Sequence, residues 1–291
     1  MKNLYPYFSQ NPLDRLDTIR RNTKQFEELK SSKSAKFVLF YENNIFFETE
    51  TKNCFLSNKN LDTRAAILLG RENNIDYFAL DMQNNLETNI SSMPLREFAS
   101  SLFIEEEKLG IIAQASAILS WHRTHMFCPS CGEKTSMKHA GWRRDCSTCK
   151  QQHFPRVDPV VIMLVTHGDY CLVGRGVHFR KNRYSCLAGY MESAESIENA
   201  SRRELFEETG VVGGEVKYIS SQPWPFPSTL MIGVHVKAKS KELNIDGHEI
   251  ADAKWVHKDD MKAILSGDES FGFSVPTKIA IARNLLESWV S

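Results

Sequence analysis

The sequence predicts an α+β protein in which two strand-rich segments flank a small metal-stapled module. Paired apolar runs around turn residues recur at 36–80 and again at 159–176, the pattern of strand hairpins. A helical stretch runs from Ser196 to Thr209, with Ser193 or Ser196 as N-cap and Gly210 as its stop. Cysteines stand as two C-x-x-C pairs, Cys128/Cys131 and Cys146/Cys149.

At 291 residues the chain has room for two domains, or for one domain and a module. Its hydrophobic fraction of 42% and charged fraction of 25% are ordinary for a globular protein. Basic and acidic residues balance at 36 each, so no global positive field drives nonspecific nucleic-acid binding. That leaves a local patch at Arg143, Arg144 and Lys150 as the place to look for nucleic-acid contact. No stretch approaches the ~18 consecutive apolar residues of a membrane span. The opening MKNLYPYFSQNPLDR lacks the apolar core of a secretion signal. No membrane association and a cytoplasmic location are expected.

In chain order, 1–30 reads as an entry segment and a charged helix. KFVLFYENNIFFET and RAAILLGRENNIDYFALD each place apolar runs around an Asn-Asn turn, at Asn43-Asn44 and Asn73-Asn74. Two such hairpins predict a small antiparallel sheet, with a scaffold or dimerisation role or a part in shaping the substrate pocket. From Pro94 to about Arg123 the apolar spacing is helical. Cys128, Cys131, Cys146 and Cys149 have the spacing of a zinc ribbon, a closed tetrathiolate site whose Zn²⁺ is structural. His122 and His125 lie nearby and read as ordinary polar residues, because the cysteines already complete the shell. Cys54, Cys171 and Cys186 read as small buried hydrophobes.

Within the helix, Glu204 and Glu208 stack one turn apart, and Glu207 sits on the flank. Three neighbouring carboxylates repel unless a cation lies among them, and oxygen donors in that number suit Mg²⁺ or Mn²⁺. Arg203 is placed to pair with Glu207. Further on, Ser221 to Thr229 (SQPWPFPST) alternates proline with aromatic residues. That excludes a helix or a central strand and predicts a stiff rod presenting two rings.

Gly189, Glu195, Arg203, Glu204, Glu207, Glu208 and Gly210, with Leu205 and Val211 as the aliphatic positions, match the Nudix box. The chain therefore resembles the Nudix hydrolases. SQPWPFP shortly after the box, and a ribbon ahead of it, are similar to the NADH pyrophosphatase subfamily. Asn11-Pro12-Leu13-Asp14-Arg15 also resembles a segment near the start of many members. The subfamily's motif ends in Ser where this chain has Thr229.

The resemblance implies a Nudix αβα sandwich around a mixed sheet over 155–291, a zinc ribbon at 125–154 and a smaller α/β sheet domain at 1–124. It implies Mg²⁺ or Mn²⁺ on Glu204, Glu208, Glu249 and the carbonyl of Ala188, with Glu207 or Glu208 as general base. Substrate contacts are implied at Phe154, Gln222, Pro223, Trp224, Pro225, Phe226, Pro227, Ser228, Thr229 and Ala282. The implied activity is hydrolysis of NADH or NAD⁺ to nicotinamide mononucleotide and AMP, and of NAD-capped RNA to a 5′-monophosphate end, by a homodimer. A Nudix hydrolase of ADP-ribose or diadenosine polyphosphate is the alternative, and a ribbon-based nucleic-acid binder without catalysis is a further one.

Overall fold

The computed structural model describes residues 6–59, 61–83, 89–101, 103–245 and 247–291. The chain forms two compact units. One comprises Asp158–Pro223 and Thr229–Ser291 together with the N-terminal segment up to Ser9; the other comprises Gln10–Val157 and Trp224–Ser228.

The unit built on Gln10–Val157 begins with α1 (Asp17–Arg20) and α2 (Thr23–Lys30). The single charged helix expected here is broken at Asn22, whose side chain accepts from the Gln25 amide at 3.1 Å and caps α2. Strands β1 (Lys36–Tyr41), β2 (Asn44–Glu48), β3 (Leu56–Ser57), β4 (Ile67–Glu72), β5 (Ile75–Asp81) and β6 (Ile90–Pro94) follow. They form one sheet in the order β4-β5-β1-β2-β6, with β3 on the other half of β1. The turn at Asn73-Asn74 is as expected, both residues being left-handed at φ 49° and 61°. In the first hairpin the turn is instead Glu42-Asn43, and Asn44 already pairs with Tyr41.

The expectation of an antiparallel sheet fails at one pairing. β5 lies parallel to β1, from Lys36 opposite Tyr77 to Phe40 opposite Asp81. The physical reason is in β1 itself: Phe37, Val38, Leu39 and Phe40 are all buried, so the strand is central and covered on both faces. The helical run after Pro94 is two helices, α3 (Leu95–Ser100) and α4 (Glu106–Thr124). Gly110 lets the segment around Asn11 cross α4 closely, since a Cβ there would stand 1.7 Å from the Gln10 carbonyl oxygen. Asn11 fixes the crossing by donating to the Gly110 carbonyl at 3.0 Å and to Gln114 Oε1 at 2.8 Å.

The ribbon in this unit is a three-stranded sheet of β7 (Thr135–Lys138), β8 (Arg143–Cys146) and β9 (Gln152–His153). Trp142 Nε1 donates to the Leu68 carbonyl at 2.7 Å, and Arg20 lies 4.0 Å above its ring. Arg144 donates to Thr135 Oγ1 at 2.7 Å, the Thr135 carbonyl at 3.0 Å and His122 Nδ1 at 2.8 Å, while Arg143 pairs with Asp145. The suggested basic patch is thereby corrected: two of its three cations are held internally, and Trp142 anchors the module.

In the other unit, β10 (Asp158–His167) and β11 (Tyr170–Gly176) make the expected hairpin. β12 (Leu187–Tyr190), α5 (Ile197–Thr209), β13 (Gly213–Trp224), β14 (Thr229–Ala238), β15 (Ile250–His257), α6 (Lys258–Leu265) and α7 (Ile281–Val290) follow. Strand order is β13-β14-β10-β11-β15, with β12 on β10, and β10 and β14 run parallel. Alternate residues of β10 enter different cores. Ile162 and Leu164 pack with Met261, Ile281 and Leu285 of α6 and α7. Met163 and Val165 pack with Leu205 of α5. A mixed sheet between helical layers results. Proline-bearing 221–224 ends an edge strand, not a central one, and at an edge a missing N–H is tolerated.

Candidate active site and metal centres

Helix α5 begins where Ser196 Oγ accepts from the Asn199 amide at 3.3 Å, which selects Ser196 over Ser193 as N-cap. It ends at Gly210, left-handed at φ 70°. Between these caps Glu204 and Glu208 are 8% and 5% exposed. Glu249, exposed just ahead of β15, joins them: each of Glu204, Glu208 and Glu249 offers a carboxylate oxygen, and these oxygens lie within 4.8 Å of one another.

Gly189 explains how Glu204 is seated. A Cβ on Gly189 would stand 1.9 Å from Glu204 Cδ, so only glycine lets the carboxylate lie against the β12 backbone. Ala188, half-buried and paired with Ile162, is the adjoining residue of that strand.

Arg203 does more than pair with Glu207. It donates to Glu195 at 2.8 and 2.9 Å, to Glu204 at 2.8 Å, to Glu207 at 2.9 Å and to the Tyr190 carbonyl at 3.0 Å. The guanidinium thus ties the loop before α5 to the helix. Its hydrogen bonds pull Glu195 down to about 2. Glu204 moves the other way: burial raises its pKa against the pull of Arg203, and the charges of Glu207 and Glu249 add to the rise. Crowded carboxylates held this way are stabilised as anions by a cation in their midst. Oxygen-only donors fit a hard divalent ion, and the glycine cradle shows the donors preset for one.

The ribbon cluster differs in chemistry. Cys128, Cys131, Cys146 and Cys149 bring their sulfurs within 4.8 Å of one another, with closest pairs at 3.5 Å for Cys128–Cys149 and Cys131–Cys146. The amides of Cys149 and Thr148 aim at Cys146 and hold its thiol at about 7. A set of four thiolates closes a tetrahedral zinc site. His122 stays outside it, as expected. Its Nε2 donates to the Gly141 carbonyl at 2.7 Å, and burial drops its pKa to about 4.

The Ser221–Thr229 stretch divides. Gln222 is fully buried, with Nε2 donating to the Tyr7 and Ile279 carbonyls at 2.9 Å each and Oε1 accepting from the Ile281 amide at 2.8 Å. As a ligand-lining residue it is corrected to a clamp, because both its N–H groups are engaged. Thr229 is buried at the start of β14, opposite Asp158. Ala282 is likewise core, 1% exposed on α7, with its carbonyl facing the Cys186 thiol at 3.8 Å.

Trp224 to Ser228 belong to the Gln10–Val157 unit. There Trp224 and Phe226 meet edge to face at 5.0 Å. Arg96 lies 5.4 Å from the first ring and 5.9 Å from the second. Arg96 and Phe226, with Pro225, Pro227, Asn43, Ser116 and Ser120, border a cavity of about 330 Å³. Pro223 and Pro227 are exposed and Ser228 is half-buried. Phe154, 58% exposed, follows β9 in the same unit. Sequence reasoning missed Arg96 because no local pattern links a residue of α3 to a turn more than a hundred positions away.

Three family descriptions match in tandem: the NADH pyrophosphatase-like rudimentary NUDIX domain over 34–121, the NADH pyrophosphatase zinc ribbon domain over 123–154 and the NUDIX domain over 155–272. The four cysteines are thus the structural zinc site of a ribbon. The chain is similar to the human NAD-capped RNA hydrolase NUDT12, 42% identical over 199 residues, which are 65% of this chain but only 43% of that protein. Similarity extends to the NAD-capped RNA hydrolase NudC of Stutzerimonas stutzeri (strain A1501), 36% identical over 68% of this chain and 67% of NudC. The human mitochondrial NAD(P)H pyrophosphatase NUDT13 is 34% identical over 77% of this chain and 71% of its own length.

Proposed function

Because this chain belongs to the Nudix hydrolases, in their NADH pyrophosphatase-like branch, we propose that it hydrolyses the diphosphate of NADH and NAD⁺ to nicotinamide mononucleotide and AMP. NAD-capped RNA, cut to a 5′-monophosphate end, is proposed as a second substrate. The observation that carries this reading is the convergence of Glu204, Glu208 and Glu249 on one point, their oxygens within 4.8 Å.

In this mechanism Glu204, Glu208, Glu249 and the Ala188 carbonyl would hold Mg²⁺ or Mn²⁺. Such an ion, when bound, neutralises diphosphate charge and acidifies a water. Arg203 keeps Glu204 and Glu207 in fixed rotamers through its 2.8 and 2.9 Å bonds. Glu207 or Glu208 accepts the water's proton. Trp224, Phe226 and Phe154 offer aromatic faces for the substrate's rings, and Pro223, Pro225, Pro227 and Ser228 shape the turn that presents two of them. Gln222, Thr229 and Ala282 lie in the core of the unit that carries the carboxylates.

The proposed domain plan is 1–124, 125–154 and 155–291, acting as a homodimer in the cytoplasm. Exposed Met126, Phe127, Phe154 and Val157 supply apolar surface for a dimer. Seven free cysteines suit a reducing compartment, and among the described residues no helix is long and apolar enough to cross a membrane.

The test is a substrate panel. AMP release from NADH that depends on added Mg²⁺ or Mn²⁺, and exceeds release from ADP-ribose, is the expected result. Turnover of ADP-ribose or diadenosine polyphosphate in preference to NADH moves the chain to another Nudix substrate class.

A further inference from the structure

The segment from Tyr170 to Met191 holds no Asp or Glu, yet carries Arg175, Arg180, Lys181 and Arg183, in a chain whose net charge is zero. Its middle part, 177–183, is exposed throughout and includes Phe179 at 46% exposure. Among the described residues no ion pair involves Arg180, Lys181 or Arg183.

This loop starts at the backbone of Glu249, a member of the carboxylate cluster, and ends at a separate anchor. At the start, the Val177 amide donates to the Glu249 carbonyl at 3.0 Å. Beyond the loop the chain continues through Tyr184 into β12, whose Gly189 carries the Glu204 carboxylate. The tip is also tied down: the Ser274 amide donates to the Asn182 carbonyl at 2.8 Å, and the Tyr184 amide to the Ser274 carbonyl at 3.0 Å. A cationic, aromatic-bearing loop therefore springs from the backbone of a residue that contributes to an anionic site.

We propose that loop 177–183 docks single-stranded RNA, the strand that continues from the adenosine of an NAD cap. This rests on the substrate reading above and extends it from the dinucleotide to the polymer. The carboxylates at Glu204, Glu207, Glu208 and Glu249 repel a phosphodiester strand that leaves the site, and three cations on the loop that starts at Glu249 offset that repulsion. Phe179 supplies a face for a base, and contacts of this kind tolerate any sequence. A free dinucleotide has no such strand to hold, so the loop separates the two substrates.

The experiment uses the full chain and the Arg180→Ser/Lys181→Ser/Arg183→Ser variant. Turnover of NADH and of a short NAD-capped RNA is measured, together with fluorescence-anisotropy binding of the 5′-monophosphate RNA across salt. Expected are unchanged NADH turnover, a roughly tenfold rise in KM for capped RNA, and a log–log salt dependence shallower by about 2. Phe179→Ala weakens RNA binding without changing the salt slope. Equal RNA binding by wild type and variant overturns the proposal, as does an equal loss on both substrates. A loss of poly-glutamate binding matching the loss for RNA reassigns the loop to an acidic protein partner. Failure of the wild type to cleave NADH sinks the substrate reading alone, because the anisotropy arm reads the loop without turnover.

Discussion

The two six-stranded sheets share one connectivity. In the first, β5-β1 is the parallel pair, β2 and β6 extend it on one side, β4 closes the other edge and short β3 lies on β1. In the second, β14-β10 is the parallel pair, β11 and β15 extend it, β13 closes the edge and short β12 lies on β10. Two helices follow the last strand in each, α3 and α4 in one, α6 and α7 in the other. The difference falls at one point. Between β12 and β13 stands α5 with its glutamates, whereas between β3 and β4 the described residues form a 3₁₀ turn at Thr63–Ala65. Among the described residues the carboxylate triad occurs in the second sheet's unit alone. One sheet plan thus recurs twice, and the carboxylate cluster is built on α5 and on the residue ahead of β15 in one copy. What the first copy carries is the ribbon, docked on it through Trp142 and Leu68.

Removing zinc sharpens this division most strongly. The ribbon has three short strands and little core, so the metal supplies its folding energy, roughly 10–16 kcal/mol for sites of this kind. Chelation, or Cys146→Ser, is expected to release the zinc and melt 125–154. Colorimetric zinc release and a shift of Trp142 fluorescence check it. A ribbon that stays folded without metal breaks the assignment of Zn²⁺ as structural.

On the catalytic side, Glu208→Gln keeps the shape of α5 but removes one anionic donor. Turnover of NADH is expected to fall on the order of a hundredfold or more, with circular dichroism and zinc content unchanged. The control in the other copy is Asp62→Asn, at the 3₁₀ turn that stands where α5 does, and it should leave turnover alone. Comparable losses from both changes break the contrast between the copies.

Gly189→Ala probes the cradle. With Glu204 Cδ 1.9 Å from the added carbon, the carboxylate has to move away from the strand. A displacement of this kind at a site that positions reactants is expected to lower kcat by about tenfold, and to raise the Mg²⁺ concentration needed for half-maximal rate. An unaltered metal requirement shows that Glu204 does not hold the ion.

What the sequence made legible was local. Ser196 and Gly210 bound α5 because capping depends on a residue and its neighbours within one turn. The cysteine pairs announced their metal through spacing alone. Connections across the chain were hidden: the parallel β1–β5 pairing depends on which strand is central, not on alternation within either. Gln222 looked like a ligand contact because its partners, the Tyr7 and Ile279 carbonyls, are remote in sequence. The prolines of 221–229 excluded a helix or a central strand, and Pro223 sits on β13, an edge strand, whose place in the sheet no local pattern gave. Even Arg203, seen as a partner of Glu207, proved to hold Glu195 as well, eight residues away.

The smallest effect belongs to the seam between the ribbon and α4. His122 is neutral there, accepting from Arg144 and donating to the Gly141 carbonyl, with its pKa lowered from 6.5 to about 4 mainly by burial. An unfolded chain binds a proton on this residue below pH 6.5, and the folded chain does so only near pH 4. Stability from this site is therefore complete above pH 6.5, declines as pH falls through that window, and changes no further below pH 4. His122→Gln, which keeps one donor and one acceptor but cannot titrate, is expected to remove the decline from the zinc-loaded protein. Thermal unfolding of both proteins at intervals between pH 7 and pH 4 reads the difference directly. If the wild type and variant fall in parallel across the window, the proton is taken up elsewhere and the seam is not where acid acts.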